Sequence, residues 1–227
     1  MTLPILEKLL LPCIPEVANI IELCCGTVQI SKWLLDKGYQ VTGLDRSETM
    51  LQYARKNAPN CKFILGDARF FELPPSFHAV FSIGLGFNHI LNLEELTSTF
   101  NNVYAALQSN GIFLFDLRLE DGYNRATWNG ALTGDIKDEY AWAKKGIYHP
   151  DIREGRIYIT TFQLEERDCW KRIDTVWPVK GYSKTEIQSA LEKVGFVEIS
   201  VYDIELDLAV TGMADTVCFV CRKPSST

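Results

Sequence analysis

Through its first 116 residues the chain alternates short apolar runs with stretches whose apolar residues recur at helical spacing. That alternation restricts the fold more than any other feature. Asn19–Leu23 (NIIEL), Tyr39–Leu44 (YQVTGL), Cys61–Leu65 (CKFIL), His78–Ile83 (HAVFSI) and Ile112–Asp116 (IFLFD) read as strands. A helix is expected from Val28 to Lys37, with Ile30, Trp33 and Leu34 on one face and Gly38 as its stop. A second is capped by Ser47 and ends near Asn57, and a third carries Leu93, Leu96, Phe100, Val103, Tyr104 and Leu107, with Gly111 ending the turn after it. Strands apolar on both sides must be covered on both sides, which means a parallel sheet between two layers of helices. Such sheets bind ligands beyond the carboxyl ends of their strands, so the turn after Leu23 is the expected site.

The rhythm changes after Asp116. Residues 118–182 hold four of the five tryptophans, and Arg156–Leu164 and Cys169–Trp177 alternate on either side of a turn at Glu165-Glu166, as in an antiparallel hairpin or small sheet. Helical spacing then returns: Ser183-Lys-Thr-Glu186 is a capping box, Gly195 stops its helix, and FVEISVY and TVCFVC supply two closing strands. The expected fold is therefore α/β, a doubly wound, mostly parallel seven-stranded Rossmann-like sheet. It forms one domain over residues 1–227, with an antiparallel β insertion at 118–182 after strand five. The opening MTLPILEKLLLPCIPE reads as a short amphipathic helix ending at Pro12/Pro15, and the tail KPSST as disordered.

Composition narrows the partners. A net charge of −6 disfavours a broad phosphate-binding face, so nucleic acid is not an expected partner. No apolar run approaches the ~20 residues of a membrane span, and the start lacks the regions of a signal peptide. A cytoplasmic monomer or homodimer is expected. Seven cysteines without an export signal argue against a disulfide framework. The Cys218/Cys221 pair lies in a strand-like run whose alternation sends the two thiols to opposite faces. No clustered histidine and carboxylate ligands are visible, so no metal is expected.

Five segments in order then carry a family resemblance: IIELCCGT, VTGLDRSETMLQYAR, FILGDARFFELP, FSIGLGFNHI and SNGIFLFDL. Together they resemble the successive motifs of class I S-adenosylmethionine-dependent methyltransferases of the small-molecule type, over roughly Ile20 to Arg222. The resemblance implies S-adenosyl-L-methionine as cofactor, held by Glu22, Cys24, Cys25, Gly26, Asp45, Arg46, Met50, Asp67, Ala68, Ile83, Gly84 and Leu85. The residues themselves support part of this. Asp45 ends the second strand 23 residues after Glu22, where a carboxylate can grip ribose hydroxyls. Asp67 and the Ala68 amide follow strand three, where they could read an adenine edge. Glu22 would lie under the turn and hold the loop amides or the methionine amine. Ile83 and Gly84 would offer backbone to the methionine moiety, with Met50 and Leu85 as apolar covers.

The loop departs from the family's Gly-x-Gly-x-Gly. Only Gly26 remains; Cys24 and Val28 take the outer positions. Cys24 is tolerable at negative φ, and Val28 stands at the helix start, where a helical φ suits it. Its methyls would nevertheless crowd a ligand resting on the backbone. A non-catalytic binding or regulatory relative is thus one alternative. A nicotinamide-dependent oxidoreductase is another, although Gln29 stands where its fingerprint wants glycine. Methyl transfer rests mainly on alignment and desolvation, with a base needed only for a protonated nucleophile. His89, just past strand four, is the candidate catalytic residue. The acceptor, a small molecule apolar or aromatic in part, is expected against Asn88, Arg118, Trp128, Trp170 and Tyr182. Arg118 and Arg125 could meet an acceptor carboxylate, and nitrogen is slightly favoured over oxygen as the methylated atom. The segment before Asn19 has no aromatic, which leaves the site open or covered by the insertion or a partner chain.

Overall fold

The computed structural model describes residues 2–166 and 169–225. In chain order the elements are α1 (Leu3–Leu9), β1 (Asn19–Leu23), α2 (Gln29–Asp36), β2 (Gln40–Asp45), α3 (Glu48–Asn57), β3 (Lys62–Leu65), β4 (Phe77–Ser82), α4 (Leu93–Ala106) and β5 (Leu107–Arg118). Next come α5 (Glu120–Asn124), β6 (Leu132–Ile136), β7 (Tyr140–His149), β8 (Glu154–Leu164), β9 (Trp170–Lys180), α6 (Lys184–Val194), β10 (Val197–Asp203) and β11 (Thr216–Arg222). The first sheet has seven strands in the order β10-β11-β5-β4-β1-β2-β3. Only β11 runs against the rest, pairing antiparallel with both β5 and β10. The chain passes from β1 outward through β2 and β3, then returns to β4 on the other side of β1. The carboxyl ends of β1 and β4 are therefore the switch point.

Both faces of this sheet are buried, as continuously apolar strands require. On one face Phe113, Phe115 and Phe219 pack with Leu96, Phe100 and Val103 of α4 and with Ile187 and Leu191 of α6. On the other, Ile20, Phe81 and Leu114 pack with Ile5 and Leu6 of α1, Leu34 of α2 and Leu51 of α3. Cys218 joins the second group and Cys221 the first, so the alternation does part the two thiols. The capping box of α6 forms in full. The Ser183 side chain accepts from the Glu186 amide and Glu186 from the Ser183 amide, and Gly195 closes the helix at φ 108°.

The insertion is a small antiparallel sheet, as expected, of four strands in the order β6-β7-β8-β9. Its first pair leaves little mark in the sequence because Gly134, Gly146 and Lys144-Lys145 dilute the alternation. Two expectations are corrected. Strand five starts at Leu107, before the turn assigned to Gly111. Asn110 takes φ 62° there, and a Cβ at Gly111 would meet the Gln108 carbonyl at 2.9 Å, so glycine is required by close approach. In the tail, Lys223 is anchored rather than disordered: its amide donates to Gly111 O at 2.9 Å and its Nζ to the carbonyls of Tyr104 and Leu107, each at 2.7 Å. Ser226 and Thr227 lie outside the described residues.

Candidate active site

The loop between β1 and α2 is left-handed at all three positions where the family carries glycine: φ is 56° at Cys24, 54° at Gly26 and 61° at Val28. The chain keeps the glycine backbone with only one of the three glycines. This overturns both sequence expectations, a negative φ for Cys24 and a helical one for Val28. Each non-glycine residue held at positive φ costs on the order of 1–3 kcal/mol. What offsets Val28 is burial: its side chain is 1% exposed, within the apolar cluster of α1 and α2. Its methyls therefore point into the core and do not crowd the cleft.

Asp45, ending β2, fixes the loop. One carboxylate oxygen accepts the Gly26 amide at 2.9 Å and the other the Ser47 amide at 2.8 Å. Asp45, not Glu22, is thus the residue that takes a loop amide. Glu22 accepts instead from the Ser31 hydroxyl of α2. Burial pushes its carboxyl up to about 7, against the lowering effect of the Ser31 bonds.

Beyond these strand ends lies an open cleft of about 140 Å³ lined by Cys24, Leu44, Asp45, Arg46, Gly66, Asp67, Ala68, Arg69, Gly86, His89 and Ile90. Of the residues singled out in the sequence, the cleft brings together Cys24, Asp45, Arg46, Asp67, Ala68 and His89. Cys24 presents an unreactive thiol, because burial raises its pKa to about 12. Asp67 is clamped by Arg69, whose Nε and Nη2 donate to it at 3.0 and 2.7 Å while Nη1 donates to Glu95 at 2.9 Å. The Arg69 bonds hold the Asp67 carboxyl below its ordinary range. Arg69 was missed in the sequence; its place two residues after a strand-end aspartate was the available signal.

His89 sits on a one-turn 3-10 helix, Gly86–His89. Its Nδ1 lies 2.9 Å from the Pro178 carbonyl. A carbonyl only accepts, so Nδ1 carries the proton and Nε2 is left as the acceptor. The Trp177 ring stands edge-on to the imidazole, with centroids 5.8 Å apart. Trp177, 45% exposed, is thus the insertion aromatic that meets the candidate base.

The other proposed site residues do not line this cleft. Asn88 is fully buried and holds the main chain together: its Nδ2 donates to the carbonyls of Arg118 and Lys180, and its Oδ1 accepts the Arg118 amide. Tyr182 is buried, its hydroxyl donating to Ile90 O at 2.6 Å. Trp128 packs edge-on against Tyr123 and covers Gly146. Trp170 lies at the far end of the β8–β9 hairpin, ten residues from Lys180, or about 33 Å along an extended strand. Composition named these rings but could not say which face or end each occupies. Arg118 turns toward Tyr123 and Asp215 rather than the cleft, with its guanidinium 5.9 Å from the Tyr123 ring and 3.8 Å from Asp215. Arg125 pairs with the same Asp215 at 2.5 Å. Cys25 is buried against Gly43 and donates its amide to Leu44 O. Met50 is 41% exposed on the first turn of α3. The Gly84 and Leu85 amides, expected near the methionine end, donate to the buried Asp116. Ile83 packs partly buried with the α1–α2 cluster.

A seven-stranded sheet reversed only at β11, with a switch-point cleft carrying a carboxylate at the end of β2 and another just past β3, matches the Rossmann-like class I methyltransferase fold. The comparisons agree. Residues 20–111 match the family described as Methyltransferase domain. A Bacillus subtilis (strain 168) protein named "Putative methyltransferase YqeM" is 34% identical over 188 residues, 81% of this chain and 75% of that protein. The glycine/sarcosine N-methyltransferase of Parasynechococcus marenigrum (strain WH8102) is 31% identical over 192 residues, 81% of this chain and 64% of that one. Among solved structures, an S-adenosylmethionine-dependent methyltransferase from Clostridium acetobutylicum ATCC 824 superposes with a TM-score of 0.81 at 17% identity, covering 99% of this chain and 91% of its own. The sugar N-methyltransferase KedS8 from Streptoalloteichus sp ATCC 53650 does so with 0.79 at 16% identity, covering 97% and 84%.

The chain belongs to the S-adenosylmethionine-dependent methyltransferases, with S-adenosyl-L-methionine as cofactor. The cleft suits that molecule chemically. Each Asp45 oxygen gives one lone pair to a backbone amide and keeps another for a ribose hydroxyl. No helix among the described residues is long and apolar enough to cross a membrane. Among the same residues no three His, Cys, Asp or Glu side chains gather as a metal site.

Proposed function

We propose that this chain methylates a nitrogen of a small-molecule acceptor, with His89 as the general base. S-adenosylmethionine supplies an activated methyl group on its sulfonium. Asp45 would hold the ribose, and Asp67 with the Ala68 amide the adenine edge, while the left-handed loop from Cys24 to Val28 would support the amino-acid end. The observation that carries the reading is the 2.9 Å contact between His89 Nδ1 and the Pro178 carbonyl. With Nδ1 committed to Pro178 O, Nε2 can take a proton from an ammonium acceptor at the cleft wall. Trp177 beside it offers a ring face to an acceptor that is cationic or partly apolar. Nitrogen is preferred over oxygen because an ammonium gives up its proton to an imidazole far more readily than an alcohol hydroxyl does. The named activities of the glycine/sarcosine and sugar N-methyltransferase relatives run the same way.

The test is methyl transfer from labelled S-adenosylmethionine to panels of small amino acids, amino sugars and matched hydroxyl compounds. Label on amines is expected, with turnover in His89→Ala reduced by about 10²–10⁴-fold and S-adenosylhomocysteine binding kept. Label confined to hydroxyl acceptors, or full activity in His89→Ala, would overturn the assignment.

A further inference from the structure

The turn after β4 is built on a buried carboxylate that has no part in the proposed chemistry. Asp116, on β5, is 1% exposed and sits among the strands, opposite Cys218 of β11. One of its oxygens accepts the Gly84 amide at 2.9 Å and the other accepts the Leu85 amide at 2.8 Å. Burial raises its carboxyl to about 6, partly countered by these amides. The two residues it holds are left-handed, Gly84 at φ 112° and Leu85 at φ 64°. Leu85, a branched residue in a conformation suited to glycine, needs an external hold to stay there.

The segment just past this turn touches the cleft directly. Leu85 caps the 3-10 helix Gly86–His89. Gly86 is pressed against Cys24 so closely that a Cβ there would come within 2.8 Å of the Cys24 Cβ. Both residues line the cleft. The helix is thus pinned at its start by Asp116 through the turn amides, and near its end by Asn88 through the main chain of Arg118 and Lys180. A shift of the turn would change the gap between Gly86 and Cys24 and move His89.

We propose that Asp116 is a positioning residue for cofactor binding: by capturing the Gly84 and Leu85 amides it enforces the left-handed turn that seats Gly86 against the Cys24 loop and closes one wall of the cleft. The inference rests on the cleft being the cofactor site.

The test is calorimetric titration of S-adenosylhomocysteine into the wild-type chain and four variants, each confirmed folded by thermal melting. Asp116→Asn replaces one accepting oxygen with a donor that faces an amide, and should weaken binding about tenfold or more. Gly84→Ala perturbs the same turn without touching the buried carboxyl. Its added methyl would meet nothing within 4 Å, so a loss of affinity there reports the backbone alone. Leu85→Gly removes the strain that Asp116 must hold. In a double-mutant cycle the Asp116→Asn loss should therefore be markedly smaller in the Leu85→Gly background. Wild-type affinity in folded Asp116→Asn or Gly84→Ala, or an equal Asp116→Asn loss in both Leu85 backgrounds, would overturn the proposal. Failure of the wild-type chain to bind would overturn the cofactor site itself, and the inference with it.

Discussion

Replacing Val28 separates backbone strain from side-chain burial. At φ 61° a valine carries on the order of 1–3 kcal/mol of backbone strain. Full burial of its side chain returns about 1.5–3 kcal/mol, which is why the residue can stand at a glycine position. Val28→Ala gives up most of that burial and keeps the positive φ. Val28→Gly gives up the same contacts but sheds the strain. Glycine is ordinarily the worse residue by roughly 0.5–1 kcal/mol relative to alanine, through backbone entropy. Here the order should reverse, with Val28→Gly the more stable of the two by about 1 kcal/mol once relief of strain outweighs that entropy. Urea unfolding followed by tryptophan fluorescence gives both midpoints. Because the Val28 side chain faces the core, neither variant should change S-adenosylhomocysteine affinity more than marginally. Two results would refute the reasoning: Val28→Gly less stable than Val28→Ala, or Val28→Gly binding the ligand much more tightly.

Other expectations come from the same geometry. Glu22 has its pKa raised by burial from 4.5 to about 7. The native state therefore keeps a proton that the unfolded chain releases, and this contribution is full below pH 4.5 and lost as pH rises through about 7. Glu22→Gln cannot ionise, so urea midpoints should fall less for it than for wild type between pH 5 and 8, by an amount on the order of 3 kcal/mol at most; parallel curves would remove Glu22 as the cause. Trp177→Ala, beside His89, should raise the acceptor KM, whereas Trp170→Ala at the hairpin tip should leave kcat and KM unchanged. Equal effects would mean that the hairpin tip reaches the site.

Much of this arrangement was readable from residue pattern alone, because burial on both faces leaves a plain mark. The apolar run at Asn19–Leu23 coincides with β1, and the Ser183–Glu186 box opens α6 where the motif required. The missed parts share a cause: they depend on neighbours distant in sequence. The left-handed φ of Cys24 and Val28 was hidden because glycine normally serves as its marker. Asp116 looked like the polar end of strand five, although a carboxylate closing an apolar run at a sheet's ligand end is itself a cue. Asn88 and Tyr182 are polar and were expected at the site, yet their hydrogen-bonding groups are committed to the main chain of Arg118, Lys180 and Ile90.

The most direct measurement is a crystal structure of the chain grown with saturating S-adenosylhomocysteine. The account predicts both ribose hydroxyls on the Asp45 carboxylate, the adenine beside Asp67 and Ala68, and the amino-acid end along a loop that keeps positive φ at Cys24, Gly26 and Val28. Ligand density elsewhere, or a Val28 side chain swung out of the core into the cleft, would contradict it.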